Sequence, residues 1–109
     1  MLEYLDRNVV KVMNGTFNVT LNTPIGLQRG TITFTDQNGV LSGSINAMGN
    51  TSYFDNGKAD GNAFVFSGVL NTGLFKFKYT AKGTVVGDAL QAVATSNSMT
   101  FQMKGTRVA

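Results

Sequence analysis

The sequence contains neither cysteine nor histidine, and these two absences narrow its chemistry. Without cysteine, the chain has no disulfide framework and no thiolate nucleophile. Without histidine, it lacks the commonest general base and the commonest metal ligand. Tryptophan is also missing, proline occurs once, and charged residues make up 14% of the chain, against about 25% in typical globular domains. We therefore expect a protein that is not an enzyme and that holds no cofactor and no metal.

The chain also lacks a long hydrophobic run. No stretch approaches the roughly 20 apolar residues of a membrane-spanning helix, and the N-terminus lacks the apolar segment of a signal peptide. These features predict no membrane span and a cytoplasmic location. The formal net charge is +3, which favours weak contact with anionic surfaces without requiring it. With 109 residues, of which 42% are apolar, the chain is sufficient for one domain with a hydrophobic core.

Turn-forming residues recur along the chain about every twelve residues, a spacing typical of β-sandwiches and barrels. Gly and Asn tolerate the left-handed backbone of hairpin turns, and Pro24 has a preset φ. The predicted turns lie at residues 23–26, 36–39, 48–50, 60–61, 71–73, 86–88 and 96–97. They separate eight short segments, which we interpret as strands.

Most of these segments alternate apolar and polar side chains. The clearest one is residues 74–84. One face of this segment carries Phe75, Phe77, Tyr79, Ala81 and Gly83, and the other face carries Lys76, Lys78, Thr80 and Lys82. A period of two with one apolar face is typical of a half-solvated antiparallel sheet. Segment 63–70 is apolar on both faces, and segment 52–59 gives no choice between Tyr53 and Phe54 as the inward residue.

The predicted fold class is all-β: a single antiparallel up-and-down meander of about eight strands. We expect a closed barrel, because pairing of the first strand with the last removes both exposed edges. The barrel domain spans residues 14–109, after an N-terminal arm of residues 1–13. An apolar stripe in this arm favours a short helix over residues 2–7, whereas its β-branched residues favour an extended segment. Small inward residues either complement the large ones in a filled core or leave a pocket.

Several segments of the chain carry a family resemblance. They are Gly15-Thr16-Phe17, Thr23-Pro24-Ile25-Gly26, Gly39-Val40-Leu41-Ser42-Gly43, Gly57-Lys58-Ala59-Asp60-Gly61, Gly83-Thr84-Val85-Val86-Gly87-Asp88 and Gly105-Thr106-Arg107. In these segments, the chain resembles small bacterial calycin-like barrel domains of lipocalin-like or avidin-like architecture. The resemblance implies a fold, and calycin-type barrels commonly bind small apolar ligands. True lipocalins are longer, however, and the biotin-site tryptophans of avidins have no counterpart here, so it supplies no binding residue.

A small apolar ligand inside the barrel is our first functional hypothesis. Binding pockets are mostly apolar with a few polar groups, and the predicted lining has this character: Phe34, Phe66, Phe77, Tyr79, Phe101 and Met103, with Gln28 and Arg107 near the ends. The alternative is a packed core, with Arg107 as a salt-bridge partner at the surface or at a barrel end.

Three further hypotheses concern the outer surface. A lysine face (Lys76, Lys78 and Lys82, with Lys104 on a neighbouring strand) could contact nucleic acid, but single-strand binders place aromatic side chains on the same surface, so we expect a solvated face. Asp55 beside Tyr53 is the one candidate acid/base pair, and we expect a surface aspartate and no catalytic residue. A homodimer, or a partner bound by the arm and segment 63–70, is the alternative to ligand binding.

Overall fold

The computed structural model describes residues 13–23, 26–71, 73 and 76–109. It contains eight strands: β1 (Gly15–Thr23), β2 (Gly26–Gln37), β3 (Val40–Ala47), β4 (Asn50–Asp60), β5 (Ala63–Asn71), β6 (Lys76–Val86), β7 (Ala89–Ser96) and β8 (Met99–Arg107). Each strand pairs antiparallel with the next, and β1 pairs with β8, so that the barrel is closed. The predicted all-β fold and its eight-stranded up-and-down meander are confirmed.

Two further expectations from the sequence were a short helix in the N-terminal arm and the absence of a membrane span. The predicted helix over residues 2–7 lies outside the described residues, as does the rest of the arm except Met13, which is fully buried in the core. Within the described ranges, no helix has the length and hydropathy needed to traverse a bilayer.

Five tight turns lie where the sequence predicted reversals, at residues 38–39, 48–49, 61–62, 87–88 and 97–98. Positive φ angles are concentrated in these turns, mainly at Gly and Asn, which tolerate them. Met48 and Ser98 are the exceptions, and Met48 adopts its φ of 55° with a long apolar side chain. The predicted turns at 23–26 and 71–73 include residues outside the described ranges.

Because the strands run up and down, the barrel has two ends that differ in content. We call the end where β1 begins and β8 finishes the terminal end, and the opposite end the distal end. The turns after Gln37, Asp60 and Val86 belong to the terminal end, and the turns after Ala47 and Ser96 belong to the distal end.

Five aromatic rings fill the barrel from its terminal end to its middle. This phenylalanine cluster consists of Phe17, Phe34, Phe54, Phe64 and Phe66, each at most 4% exposed. The Phe34 ring lies at its centre, with centroids 5.2 to 6.0 Å from those of the other four rings. The rings of Phe54 and Phe66 stack at 4.1 Å. Tilted and edge-on ring pairs add about 0.5–1.5 kcal/mol beyond the burial of their area, so the cluster is the main stabilising element of the core.

Inward glycines make room for these rings. A Cβ on Gly43 would lie 2.9 Å from the Phe54 ring, and a Cβ on Gly57 would lie 2.9 Å from the Cβ of Phe66. The small inward residues therefore complement the large ones in this half of the barrel. The sequence left open a filled core or a pocket, and here the core is filled.

A β-bulge in β4 explains why the sequence of residues 52–59 did not show whether Tyr53 or Phe54 faces inward. Leu41 pairs with Gly57 and Gly43 with Phe54, so β4 contains one residue more than β3 between these two pairs. Ser52 and Phe54 face inward before the bulge, and Gly57 and Ala59 after it. Phe54 is 4% exposed and Tyr53 is 78% exposed. Because the bulge shifts the inward–outward alternation of side chains by one residue, no single alternating pattern fits the whole strand.

We expect Phe66→Ala to lower the free energy of unfolding by about 3–5 kcal/mol, because it opens a cavity in the phenylalanine cluster. Phe77 faces inward as predicted, but it is 37% exposed and not a fully buried core side chain. Phe77→Ala should therefore cost clearly less. Lys78→Ala, on the outer face, should change stability by no more than about 0.5 kcal/mol. Urea denaturation measures all three, and equal costs for both phenylalanines would contradict this interpretation of the core.

Candidate functional site

The structure separates the predicted ligand-lining residues into three groups. Phe34, Phe66 and Met103 are buried in the core, at 2%, 1% and 7% exposure. Phe77, Tyr79 and Phe101 face inward near the distal end, where they are half-buried or partly exposed. Gln28 lies in the same region, paired with Leu21. Arg107 lies at the terminal end, and the structure does not bring it near the distal aromatic residues.

Arg107 closes the terminal end of the barrel. Its Nε donates to Asp88 Oδ1 at 3.0 Å, its Nη2 donates to the carbonyl of Gly87 at 3.1 Å, and its Nη1 donates to the carbonyl of Asn14. Its guanidinium carbon lies 4.6 Å from the centre of the Phe17 ring, a favourable cation–π contact. These contacts match the alternative role of Arg107, a salt-bridge partner at a barrel end.

The distal end is lined by less completely buried side chains. We define the distal mouth as the inward-facing Leu21, Ile45, Leu70, Phe77, Tyr79 and Phe101, all of which keep some solvent exposure. They come from β1, β3, β5, β6 and β8, and so surround the barrel axis. In contrast to the terminal end, the mouth is lined mainly by apolar side chains that solvent reaches.

Tyr79 marks the floor of the distal mouth. Its ring meets the edge of the phenylalanine cluster, with the centroid 5.8 Å from that of Phe66. It lies over its cross-strand partner Gly68, where a Cβ would be 3.0 Å from the Tyr79 hydroxyl oxygen. That oxygen is buried and has no hydrogen-bond partner among the described residues. Burial raises the pKa of Tyr79 to about 12, because the phenolate would lose hydration.

Ser96 contributes a second buried hydroxyl, from the strand on the other side of Tyr79 from Gly68. Thr80 pairs with Thr95, so the antiparallel register sets Ser96 beside Tyr79. The Ser96 oxygen is also buried without a hydrogen-bond partner in the described part of the chain. Most buried side-chain polar atoms in proteins are hydrogen-bonded, so two such hydroxyls on neighbouring strands are an unusual pair. Each of these hydroxyls can donate or accept a hydrogen bond with a polar group of a ligand.

A third inward hydroxyl near the mouth, that of Ser52, has a structural partner. Ladder pairs join β4 to β5 at Lys58–Val65, Ala59–Phe64 and Asp60–Ala63, near the terminal end. Closer to the distal end, Ser52 Oγ accepts a hydrogen bond from the backbone N–H of Asn71 at 3.1 Å. The side chain thus links the two strands where the described ladder has ended. Ser52 is therefore assigned to closing the barrel, unlike Tyr79 and Ser96.

The outer surface carries the predicted lysine face and a groove that sequence analysis missed. Lys76, Lys78, Lys82 and Lys104 are exposed on the outside, as expected. The groove, of about 890 Å³, lies over β1, β2, β7 and β8, and Arg29 and Lys104 stand on opposite sides of Thr20. Only closure of β1 on β8 brings these two cations together, so no local pattern could have revealed them. The groove is shallow and open.

The acid/base candidates lie outside the barrel. Asp55 is exposed beside the bulge of β4, and the neighbouring Tyr53 is 78% exposed. Both side chains project into solvent on the outer face of β4. Within the described ranges, no three His, Cys, Asp or Glu side chains cluster as metal ligands. That the protein is not an enzyme remains a prediction.

Comparison with known proteins found no matching family, no matching curated protein and no matching solved structure. The resemblance to calycin-like barrels therefore remains an expectation. The eight-stranded closed barrel itself is shown by the strand pairing.

We expect Tyr79→Phe to raise the free energy of unfolding of the ligand-free protein by about 1 kcal/mol at neutral pH, because it removes a buried hydroxyl without a partner. The pH dependence has a definite sign. The folded pKa of Tyr79 is above the ordinary value of 10.0, so the unfolded state ionises first and stability falls as pH rises from 10.0 to about 12.

Urea denaturation at neutral and alkaline pH measures both effects. The Tyr79→Phe variant should lose that part of the alkaline decline, whereas Tyr53→Phe, at an exposed position, should retain it. A less stable Tyr79→Phe protein would show that the hydroxyl is hydrogen-bonded after all.

Proposed function

We propose that this protein is a non-enzymatic binding module, which takes a small apolar ligand at the distal mouth of its barrel. The observation that carries the proposal is that the hydroxyls of Tyr79 and Ser96, near partly exposed Phe77 and half-buried Phe101, are buried without a hydrogen-bond partner among the described residues. An apolar lining with a few well-placed polar groups is the common composition of small-ligand sites. The site is the mouth and not the deep interior, which the phenylalanine cluster occupies.

The geometry also limits the kind of ligand. The floor formed by Tyr79 and Phe66 leaves only the distal part of the interior available. A ligand there needs an apolar body to cover Leu21, Ile45 and Leu70. It needs polar atoms, such as hydroxyl or aromatic N–H groups, that can hydrogen-bond to the Tyr79 and Ser96 hydroxyls. A carboxylate is less suited, because its charge would lose hydration among the apolar side chains of the mouth.

The alternative function is self-association or partner binding through the barrel exterior. It is supported by outward Val69 and Val93, which are 44% and 41% exposed. Lys78 is paired directly with Val69, and Lys82 with Val93. Two copies meeting through this surface would bring lysines together, at a cost in electrostatic repulsion. The valines therefore favour an acidic partner over a homodimer, and ligand binding remains the better supported function.

Fluorescence titration with N-phenylnaphthylamine, an uncharged apolar probe with one N–H donor, tests the ligand proposal. We expect saturable binding by the unmodified protein. At least one of the variants Tyr79→Phe and Ser96→Ala should weaken binding by about fivefold, the equivalent of one neutral hydrogen bond. Tyr53→Phe, which removes an exposed hydroxyl from the outer face, is the matched control and should bind like the unmodified protein.

Two results would count against this assignment. Absence of saturable binding, or equal affinity in all the variants, would remove the distal mouth as the site. Sedimentation equilibrium tests the alternative function. A protein that is a dimer at micromolar concentration, and that becomes a monomer with the substitution Val93→Lys, would favour self-association through the exterior.

A further inference from the structure

Charge is distributed unevenly along the barrel axis. The acidic side chains of the described residues are Asp36, Asp55, Asp60 and Asp88. Asp36 and Asp60 lie at the strand ends of the terminal end, and Asp88 lies in a turn there. Asp55 is in the middle of β4. Within the described ranges, the distal third of the barrel therefore carries no acidic side chain.

Cations flank the distal end instead. Arg29, near the start of β2, is exposed, and so are Lys76 and Lys78 at the start of β6. Strands β2 and β6 are four positions apart in a closed barrel of eight, so the cations stand on opposite sides of the axis. A surface approaching the distal end along the axis meets positive charge on both flanks.

Apolar side chains form the distal rim between these cations. Leu27 is 58% exposed, Met99 46%, Met48 44% and Phe77 37%. They belong to β2, β8, the turn between β3 and β4, and β6, so they are spread around the rim. The terminal end also exposes apolar residues, namely Val40, Val86 and Val108. Those valines, however, share their end with Asp36, Asp60 and Asp88.

Met48, in the distal rim, is a residue type that does not suit the backbone conformation of its turn. Its φ of 55° is a conformation for which Asn is several-fold enriched and long apolar residues are not. The other non-glycine residues with positive φ are Asn38, Asn97 and Ser98 among the described residues. A long apolar side chain at this position is unfavourable both for the backbone and for its hydration. Its presence is explained if the exposed turn inserts into an apolar medium.

We propose that the distal end docks on the surface of an anionic phospholipid bilayer. Leu27, Met48 and Met99 would enter the interface between head groups and acyl chains, with Arg29, Lys76 and Lys78 on lipid phosphates. Apolar tips combined with flanking cations are the two contributions that bind peripheral proteins to anionic membranes. The docked orientation turns the end that carries Asp36, Asp60 and Asp88 away from the membrane, which reduces repulsion.

Two other occupants fit this surface less well. A second copy docked end to end would oppose Arg29, Lys76 and Lys78 to the same cations, at an electrostatic cost. Single-stranded nucleic acid would need aromatic side chains beside the cations for base stacking. The outward residue paired with Lys78 is Val69, which offers no ring. An anionic bilayer offers negative charge to the cations and an apolar layer to the side chains of the rim.

Vesicle sedimentation tests the proposal with matched lysine variants. The full chain should partition onto phosphatidylcholine vesicles that contain roughly one third phosphatidylserine, and much less onto pure phosphatidylcholine. Lys78→Gln should lower the partition by about fivefold, the effect of one cation at an anionic surface. Lys58→Gln removes the same charge from the terminal half of β4 and should change it much less. Equal losses in both variants would overturn a distal docking site.

Met48→Asn tests the apolar contribution, with Val86→Thr at the terminal end as its control. The substitution suits the positive φ, so urea denaturation should show stability unchanged or raised. Its vesicle partition should fall roughly tenfold, because one inserted side chain is lost. Val86→Thr should leave the partition unchanged. A Met48→Asn protein that binds vesicles normally would overturn the proposal.

The same variants identify a different occupant if there is one. Self-association in the absence of vesicles that Met48→Asn abolishes would assign the rim to a second copy. Binding to single-stranded DNA that Lys78→Gln weakens and Met48→Asn does not would assign the cations to nucleic acid. Failure here is distinguishable from failure of the ligand proposal, since Tyr79→Phe should not alter vesicle partition and Met48→Asn should not alter probe affinity in solution.

Discussion

The closure of β1 on β8 is the constraint on which the rest of this structure depends. Six residue pairs, from Phe17–Arg107 to Asn22–Gln102, join the first strand to the last. Closure gives every strand two neighbours and fixes the width of the interior. It also brings the start of β1 and the end of β8 to one end of the barrel, where Thr16 N–H donates to the carbonyl of Ala109 and Arg107 spans Asp88, Gly87 and Asn14. One end is thereby closed by the chain itself.

Because the width of the interior is fixed, the inward side chains have to fit a set volume. Five phenylalanines occupy the terminal half, and inward glycines such as Gly43 and Gly57 provide the space for them. Tyr79 continues this arrangement over Gly68 but introduces a hydroxyl at the boundary of the packed region. Beyond that boundary the inward side chains are only half-buried. The transition from filled core to apolar mouth is therefore set by where the large rings end, and the candidate site lies at that transition.

Several features of the distal end reduce stability in the isolated protein. The hydroxyls of Tyr79 and Ser96 are buried without described partners, Met48 has a positive φ, and Leu27 and Met99 expose apolar surface. Departures from local structural preference tend to occur at functional sites, where the stability lost locally is supplied by the rest of the fold. A ligand in the mouth and a bilayer at the rim would each compensate different members of this set. The two proposals are thus compatible, and separate variants test them.

The sequence alone determined the strands, most of the turns and the side of the sheet on which most residues lie. Alternation is a local property of the backbone, so the positions of Lys78 outside and Phe66 inside could be predicted from neighbours in the chain. Glycine and asparagine at the reversals likewise act locally. The preference for closure also followed, because eight meander strands otherwise leave two edges unpaired.

Only the tertiary structure decided which inward residues are core and which form a site. Phe34 and Phe77 have the same pattern in sequence, yet one is 2% exposed and the other 37%, since burial depends on side chains brought in from other strands. The inward choice of Phe54 over Tyr53 required the bulge, and the meeting of Arg29 and Lys104 required closure. The role of Arg107 was decided in the same way, by contacts with a turn and a terminus distant in the chain. Alternation sets the direction of a side chain, whereas the volume and the partners around it arise from residues that only folding brings together.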